Sequence, residues 1–266
     1  MSKHGSARVA LASAAIVATA ALAGCGGVPN GTKPDVPGEN AAGTAAAAAT
    51  SRLSSTAPLT ARQSAIAAQS FAKANSIPFP VAVGNTWVYQ TQSGGQTGRT
   101  TNRVVGAGPG SAGFRVTVSS TTDIGGSAST VVPVYTFYPD GTIGYPVPSV
   151  SGVPGTGSDI RWPDAAGLAS GKVYHSVLHV QGGSADVTVQ GTGTTSISVP
   201  AGTYRASVVK TTIAAQGQTV EVTVWIAQGT GPVKIQVLVR APGGTGLTTN
   251  ELLSFTKAVS AIGDGS

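Results

Sequence analysis

Val220-Glu221-Val222-Thr223-Val224-Trp225-Ile226 and, shortly after it, Val233-Lys234-Ile235-Gln236-Val237-Leu238-Val239-Arg240 decide the fold. In both runs every second residue is Val or Ile, and the residues between them are mostly charged or polar. A side-chain period of two places one set on each face of a strand, so one face packs and the other is wetted. That is the behaviour of an antiparallel sheet. The same alternation recurs upstream, where Phe114, Val116 and Val118 alternate with Arg115, Thr117 and Ser119. Extending the pattern predicts about ten strands, at roughly 86–92, 98–106, 114–122, 130–138, 142–147, 172–181, 186–192, 204–215, 219–228 and 232–241, with a last one near 249–257. Ser93-Gly94-Gly95, Gly125-Gly126, Asp140-Gly141, Gly182-Gly183, Gln216-Gly217 and Gly243-Gly244 fall between them, where hairpin turns need positive φ. A Gly/Pro-rich connection containing Trp162 occupies about 148–171, long enough to fold over a sheet edge or mouth. No long helical pattern separates the strands, which excludes βαβ units and doubly wound folds. The expected class is all-β: a curved antiparallel sheet or half-barrel.

Composition narrows the class further. Of 266 residues only 10% are charged, against about 25% in ordinary globular chains. Surface polarity must therefore come from Ser, Thr, Gln, Asn and Gly, which argues against a coiled coil and a charge-driven tail. The net charge is +6 from 16 basic and 10 acidic residues. No Lys/Arg cluster or basic helix is present to neutralise successive phosphates, so no nucleic acid is expected as a partner.

The first residues read as an address. Lys3 and Arg8 precede an apolar, Ala-rich run from Val9 to Leu22, shorter than the ~20 residues a membrane-spanning helix needs. The run ends Leu22-Ala23-Gly24-Cys25, which resembles the lipobox of bacterial lipoproteins: a branched apolar residue and two small ones for the signal peptidase, then the thiol that takes a diacylglycerol group. Cys25 is the chain's one cysteine, so no internal disulfide forms and no Cys-based metal cluster arises. Residues 1–24 are expected to be the signal peptide, and 25–59 a lipidated N-terminus and flexible tether of Gly, Ala, Pro, Ser and Thr. Such a segment buries too little apolar surface to offset its ordering entropy. Thr60-Ala61-Arg62-Gln63 fits a capping box and predicts a short helix within 60–75, with Ile66 and Phe71 on its apolar side and Pro78 ending it. Residues 76–266 are then the β domain. Two or three acyl chains, at about 0.8 kcal/mol per buried CH₂, hold a protein stably, so the membrane is the expected partner through the N-terminal lipid. By resemblance to Gram-negative lipoproteins, Gly26 in place of Asp implies the outer membrane, facing the periplasm; the outer face of the plasma membrane is the alternative.

Chemistry-bearing patterns are few. Gly108-Pro109-Gly110-Ser111-Ala112-Gly113 has the spacing of a dinucleotide loop, but a strand follows it where a helix N-terminus is required, so it reads as a hairpin turn. His175 and His179 sit in a strand pattern, where their spacing sets them about 13 Å apart on one face, too far to share an ion. The acids Asp123, Asp140, Asp159, Asp164, Asp186, Glu221 and Glu251 fall mostly in turns or on wetted faces. No nucleophile elbow or Walker-type loop occurs. No catalytic residue, metal ligand or cofactor is therefore assigned. Aromatics carry more: Trp87 and Tyr89 share one strand face and Tyr135 and Phe137 another, while Trp225 stands on the polar side of its strand. Trp87, Tyr89, Tyr135 and Phe137 fill a core or line a ligand groove, depending on how far the sheet closes.

Three segments together carry a family resemblance: Pro80-Val81-Ala82-Val83-Gly84-Asn85-Thr86-Trp87-Val88-Tyr89, Val199-Pro200-Ala201-Gly202-Thr203-Tyr204, and Trp225-Ile226-Ala227-Gln228-Gly229-Thr230-Gly231-Pro232-Val233-Lys234. They resemble a family of bacterial envelope proteins, many of them lipoproteins, to which no reaction is assigned. The resemblance implies a strongly curved antiparallel sheet akin to the half-barrels of lipoprotein-localisation carriers, which hold acyl chains in their concavity. The expected function is a lipid-anchored, non-catalytic envelope protein whose curved sheet binds an apolar or amphipathic ligand or a partner protein. A structural or assembly factor using sheet edges, and a hydrolase of envelope polymers using cross-strand acids, are the alternatives.

Overall fold

The Val/Ile alternation builds one continuous antiparallel sheet, nearly closed into a barrel, in the computed structural model. The structure describes residues 79–145, 160–180, 183–215 and 217–258. The leader, Leu22, Ala23, Gly24, Cys25, the tether and the expected helix within 60–75 lie outside the described residues. The strands are β1 (Thr86–Ser93), β2 (Gln96–Pro109), β3 (Phe114–Ile124), β4 (Ser127–Val131), β5 (Val134–Phe137), β6 (Ile143–Tyr145), β7 (Ile160–Trp162), β8 (Val173–Val180), β9 (Gly183–Val199), β10 (Gly202–Ala215), β11 (Gln218–Ala227), β12 (Gly231–Ala241) and β13 (Gly244–Thr256). One short helix, α1 (Ala165–Ala169), lies between β7 and β8.

The sheet order is β7-β6-β5-β3-β2-β1-β13-β12-β11-β10-β9-β8, with β4 also on β3. Sequence neighbours mostly pair, as short hairpin connections dictate. The exceptions are β3 with β5, past the short β4, and β1 with β13, which joins the two ends of the described chain; Trp87 faces Phe255 and Tyr89 faces Leu252 across a bulge. The opening of the barrel therefore falls in mid-sequence, between β7 and β8, where α1 straps the gap. A glycine seats that strap: a Cβ on Gly191 of β9 would stand 1.9 Å from the Leu168 carbonyl oxygen, so a side chain there would push α1 off the sheet, whereas one on Gly167 would meet the Tyr174 hydroxyl at 2.3 Å and displace that ring.

Three stretches differ from the sequence expectation. The single strand placed over 130–138 is two strands, β4 and β5, because Pro133 has no N–H to continue a ladder. Its carbonyl still accepts from Val118 N–H at 3.0 Å. The strand placed at 186–192 continues to Val199 as a 17-residue strand, although residues 191–196 are only Gly, Thr and Ser. The connection at 148–171 contains β7 and α1, and its residues 148–159 are outside the described part.

The core fills the barrel interior. Trp87, Tyr89, Val116, Val209, Ile235 and Leu252 are fully buried, each from a different strand except the first two. Trp225 lies on the outer face, half-buried, with the Lys234 ammonium 5.7 Å from its ring centre.

Candidate functional site

Trp87 and Tyr89 have no exposed surface, and Phe137 and Tyr135 are 2% and 6% exposed. Phe79 packs on three of the four, with ring centres 5.7 Å from Trp87, 6.2 Å from Tyr135 and 6.3 Å from Phe137. Both polar handles on β1 cross to the β11–β12 turn. The Trp87 indole N–H donates to the Thr230 carbonyl at 2.6 Å, and the Tyr89 hydroxyl donates to the Pro232 carbonyl at 2.9 Å. Gly231 between those carbonyls has φ +86°, and a Cβ there would lie 3.3 Å from Pro80 and 3.5 Å from the Trp87 indole nitrogen. The remaining motif joins the same end: Ala201 N–H donates to the Leu252 carbonyl at 2.8 Å, and the buried Asn85 amide oxygen accepts from Ala258 N–H at 2.8 Å. The three quoted segments are thus tied to one end of the barrel by backbone carbonyls and buried rings. Burial pushes the Tyr89 phenol well above its ordinary range; the neighbouring Tyr135 adds to this, and the Asn102 side chain opposes it. At neutral pH Tyr89 stays protonated and keeps donating.

The concavity at this end lies on the other side of Phe79. A pocket of about 170 Å³ opens at the seam. Its apolar wall is Phe79, Ile143 of β6, Trp162 of β7, Leu168 of α1, Val208 of β10 and Ile226 of β11. Trp87, Tyr89, Tyr135 and Phe137 are not among its lining residues; they lie in the core, three of them against Phe79. The ladders are irregular where they border it: β9 carries an extra residue opposite β10, between Gly191 and Thr194, where Gly193 has φ +101°, and β12 carries one opposite β11, between Pro232 and Lys234. Bulges bend a strand and re-aim its side chains, which opens the space that a regular ladder would close.

Polar groups at the pocket are sparse. Thr194 and Ser207 supply hydroxyls, and Asp164 is the one acid among the lining residues. Its carboxylate caps α1, accepting from Gly167 N–H at 2.8 Å. The arrangement suits an apolar guest and offers no nucleophile beside a base.

Other sequence-marked positions are dispersed. His175 is exposed on β8, the strand that also carries His179. Among the described residues no group of three or more His, Cys, Asp or Glu is set to hold a metal. Gly108 and Pro109 end β2, and the turn to β3 is closed by Gly110 N–H donating to the Gly113 carbonyl at 2.7 Å. Carboxylates on the outer surface face cations: Asp140 with Arg161 at 3.4 Å, Glu251 with Lys234 at 2.7 Å, and Glu221 with both Lys210 and Arg240. The pocket residues Phe79, Leu168, Thr194, Ser207 and Ile226 are not legible as a site from sequence, because they come from five separate segments. Phe79, an aromatic held between Pro78 and Pro80 just ahead of the first strand, is the one local signal.

No family model matches the chain, and no curated protein matches it in sequence. Two solved structures are similar over 67% of this chain and 98% of their own length. One, from Bacteroides fragilis, is named as an exported protein with a YmcC-like fold; it shares 17% identity at a TM-score of 0.44. The other, from Parabacteroides distasonis, is named as a lipoprotein and shares 15% identity at a TM-score of 0.46. At these values neither likeness carries an inference to this chain.

Proposed function

We propose that the chain is a lipid-anchored, non-catalytic protein of the bacterial envelope whose barrel takes one apolar group of a ligand or partner into the seam pocket. The observation that carries this reading is the pocket: Phe79, Ile143, Trp162, Leu168 and Ile226 enclose about 170 Å³ beside two hydroxyls and one capping carboxylate. Size limits the guest. An engineered cavity of about 150 Å³ holds benzene, so this one accepts a single ring or a short branched chain end, not several whole acyl chains. Each methylene withdrawn from water contributes about 0.8 kcal/mol, enough for selective but exchangeable binding. The envelope location rests on the leader and on Cys25, with Gly26 favouring the outer membrane. The non-catalytic reading rests on the acids: a glycosidase pair needs two carboxyl groups about 5–10 Å apart across a cleft, and the pocket has Asp164 alone, already engaged as a cap.

The test is ligand-induced stabilisation. The chain from residue 26 onward, kept free of detergent, is melted with and without saturating toluene. The reading predicts a higher melting temperature with toluene and loss of that increment in Ser207→Phe, which fills the pocket. An unchanged melting temperature in the folded wild-type protein would remove the binding part of the reading.

A further inference from the structure

The barrel end that holds the pocket also carries an exposed apolar strip. Gly84 N–H donates to the Val104 carbonyl at 2.8 Å and Val104 N–H to the Asn85 carbonyl at 2.9 Å, which lays Val83 beside the bulge in β2 where Val105 stands. Across β3, the Pro133 carbonyl accepting from Val118 brings Val132 alongside. Val83, Val105 and Val132 are 52%, 45% and 46% exposed. Basic groups flank the strip. Arg103 is paired with Thr86 and Ser119, Thr86 is paired with Thr256, and Lys257 follows. Arg103 and Lys257 are exposed, and this outer row holds no acid.

We infer that this strip is the surface by which the barrel lies against an anionic bilayer. The inference rests on Cys25 as the lipid anchor and adds which face turns to the membrane. The chain outside the described part joins the barrel at Phe79, four residues from Val83 and so within about 14 Å of it. The flexible tether expected over 25–59 has a root-mean-square reach of about 30–35 Å, and the short helix expected within 60–75 adds no more than about 25 Å. The anchor therefore holds the strip at high effective concentration over the surface, where a contact too weak to recruit a free protein still sets orientation. Cations near anionic headgroups and valines at the acyl boundary supply that contact. The seam pocket, which Phe79 lines, is thereby turned toward the lipid side. Leu247, equally exposed, lies at the other end of β13, about 30 Å along the strand from Thr256.

Cys25 being the chain's one cysteine makes the test clean, since an introduced thiol is the sole free one on the lipidated protein. Full-length lipidated Val105→Cys and Val83→Cys, with Leu247→Cys as the far-end control, are labelled with the dye NBD in vesicles of 30% phosphatidylglycerol in phosphatidylcholine. Flotation reads the anchor, and quenching by nitroxide lipid reads the contact. Quenching at positions 83 and 105 should exceed that at 247 at least fivefold. It should fall in 0.5 M salt, in pure phosphatidylcholine, and when Arg103→Glu and Lys257→Glu are combined. Equal quenching at both ends, or none at either on protein that floats, would overturn the inference and leave the anchor standing. Protein that fails to float would overturn both.

Discussion

Strands β1, β2, β3 and β13 turn the same face inward along their whole length, yet the two ends of that face are built from different chemistry. Toward the pocket the interior is Trp87, Tyr89, Val104, Val118 and Leu252. Toward the far end it is Thr91, Ser93, Thr100, Thr122, Thr248 and Asn250, all buried. The hydroxyls are ordered. Thr91 donates to the Asn250 amide oxygen at 2.6 Å, and a hydroxyl has one hydrogen, so Thr91 must accept from Thr100 at 2.7 Å. Thr100 in turn accepts from Thr122 at 3.0 Å. Donation therefore runs one way across four strands, from β3 to β13. Apolar packing supplies most of the stabilisation but discriminates weakly between registers, whereas a buried hydroxyl meets its partner in one register and is costly to leave unpaired. The aromatic end holds the barrel together and shapes the pocket; the hydroxyl end fixes the alignment of the strands that carry it.

Substitutions separate the two roles. Trp87→Ala removes a buried ring that stacks on Phe255 with centres 5.1 Å apart, and with it the donor to Thr230. It should cost about 3–5 kcal/mol in urea unfolding. Thr100→Val, at the middle of the hydroxyl chain, should cost about 1–3 kcal/mol because Thr91 loses a donor and Thr122 an acceptor. Replacing Thr91, Thr100 and Thr122 by Val and Asn250 by Leu together should cost less than the sum of the four single changes. Additive losses would show that the hydroxyls act separately.

Tyr89→Phe should cost about 1 kcal/mol at neutral pH, through the lost bond to the Pro232 carbonyl. Its larger signature is in alkali. Burial raises the Tyr89 pKa in the folded state, so above about pH 10 the unfolded chain releases this proton while the folded chain keeps it. The contribution is fully present below that pH and is lost as pH rises toward the folded value. Stability of the wild type measured from pH 9 to 11 should decline more steeply than that of Tyr89→Phe; parallel curves would mean that Tyr89 ionises as freely folded as unfolded. The smallest effect is expected outside the barrel. Lys234 and Glu251 pair at 2.7 Å with side chains 19% and 30% exposed, and Glu251→Gln should change stability by no more than about 1 kcal/mol, less at high salt.

Sequence periodicity reads one side of a strand against the other, and this explains what was legible. Val220, Val222 and Val224 against Val233, Ile235 and Val237 identify paired strands at once, and Gly94-Gly95 and Gly125-Gly126 have the positive φ values that their turns demand. Periodicity is blind to closure. Thr91 shares the parity of Trp87 and Tyr89 and Thr122 that of Val116 and Val118, but a run of hydroxyls carries no apolar signal, so only the closed sheet shows that this stretch of the face is interior. It is equally blind to strands without large apolar residues, so β9 beyond Thr192 is missed, and to a strap such as α1, whose close approach to β9 depends on the missing Cβ of Gly191. Trp87 and Tyr89 are recognisable as an inward pair, but their destination, the carbonyls of Thr230 and Pro232, lies 143 residues away. The pocket is harder still, since it lies beside bulges in β9 and β12 that no residue pattern announces.

The envelope location and the membrane-facing strip both depend on the thiol of Cys25. Intact-mass and peptide mass spectrometry of the protein extracted from cell membranes should find residues 1–24 absent and a diacylglyceryl group on Cys25 at the new N-terminus. A chain that retains residues 1–24 with the sulfur unmodified, recovered from the soluble fraction, would contradict the lipid-anchored reading.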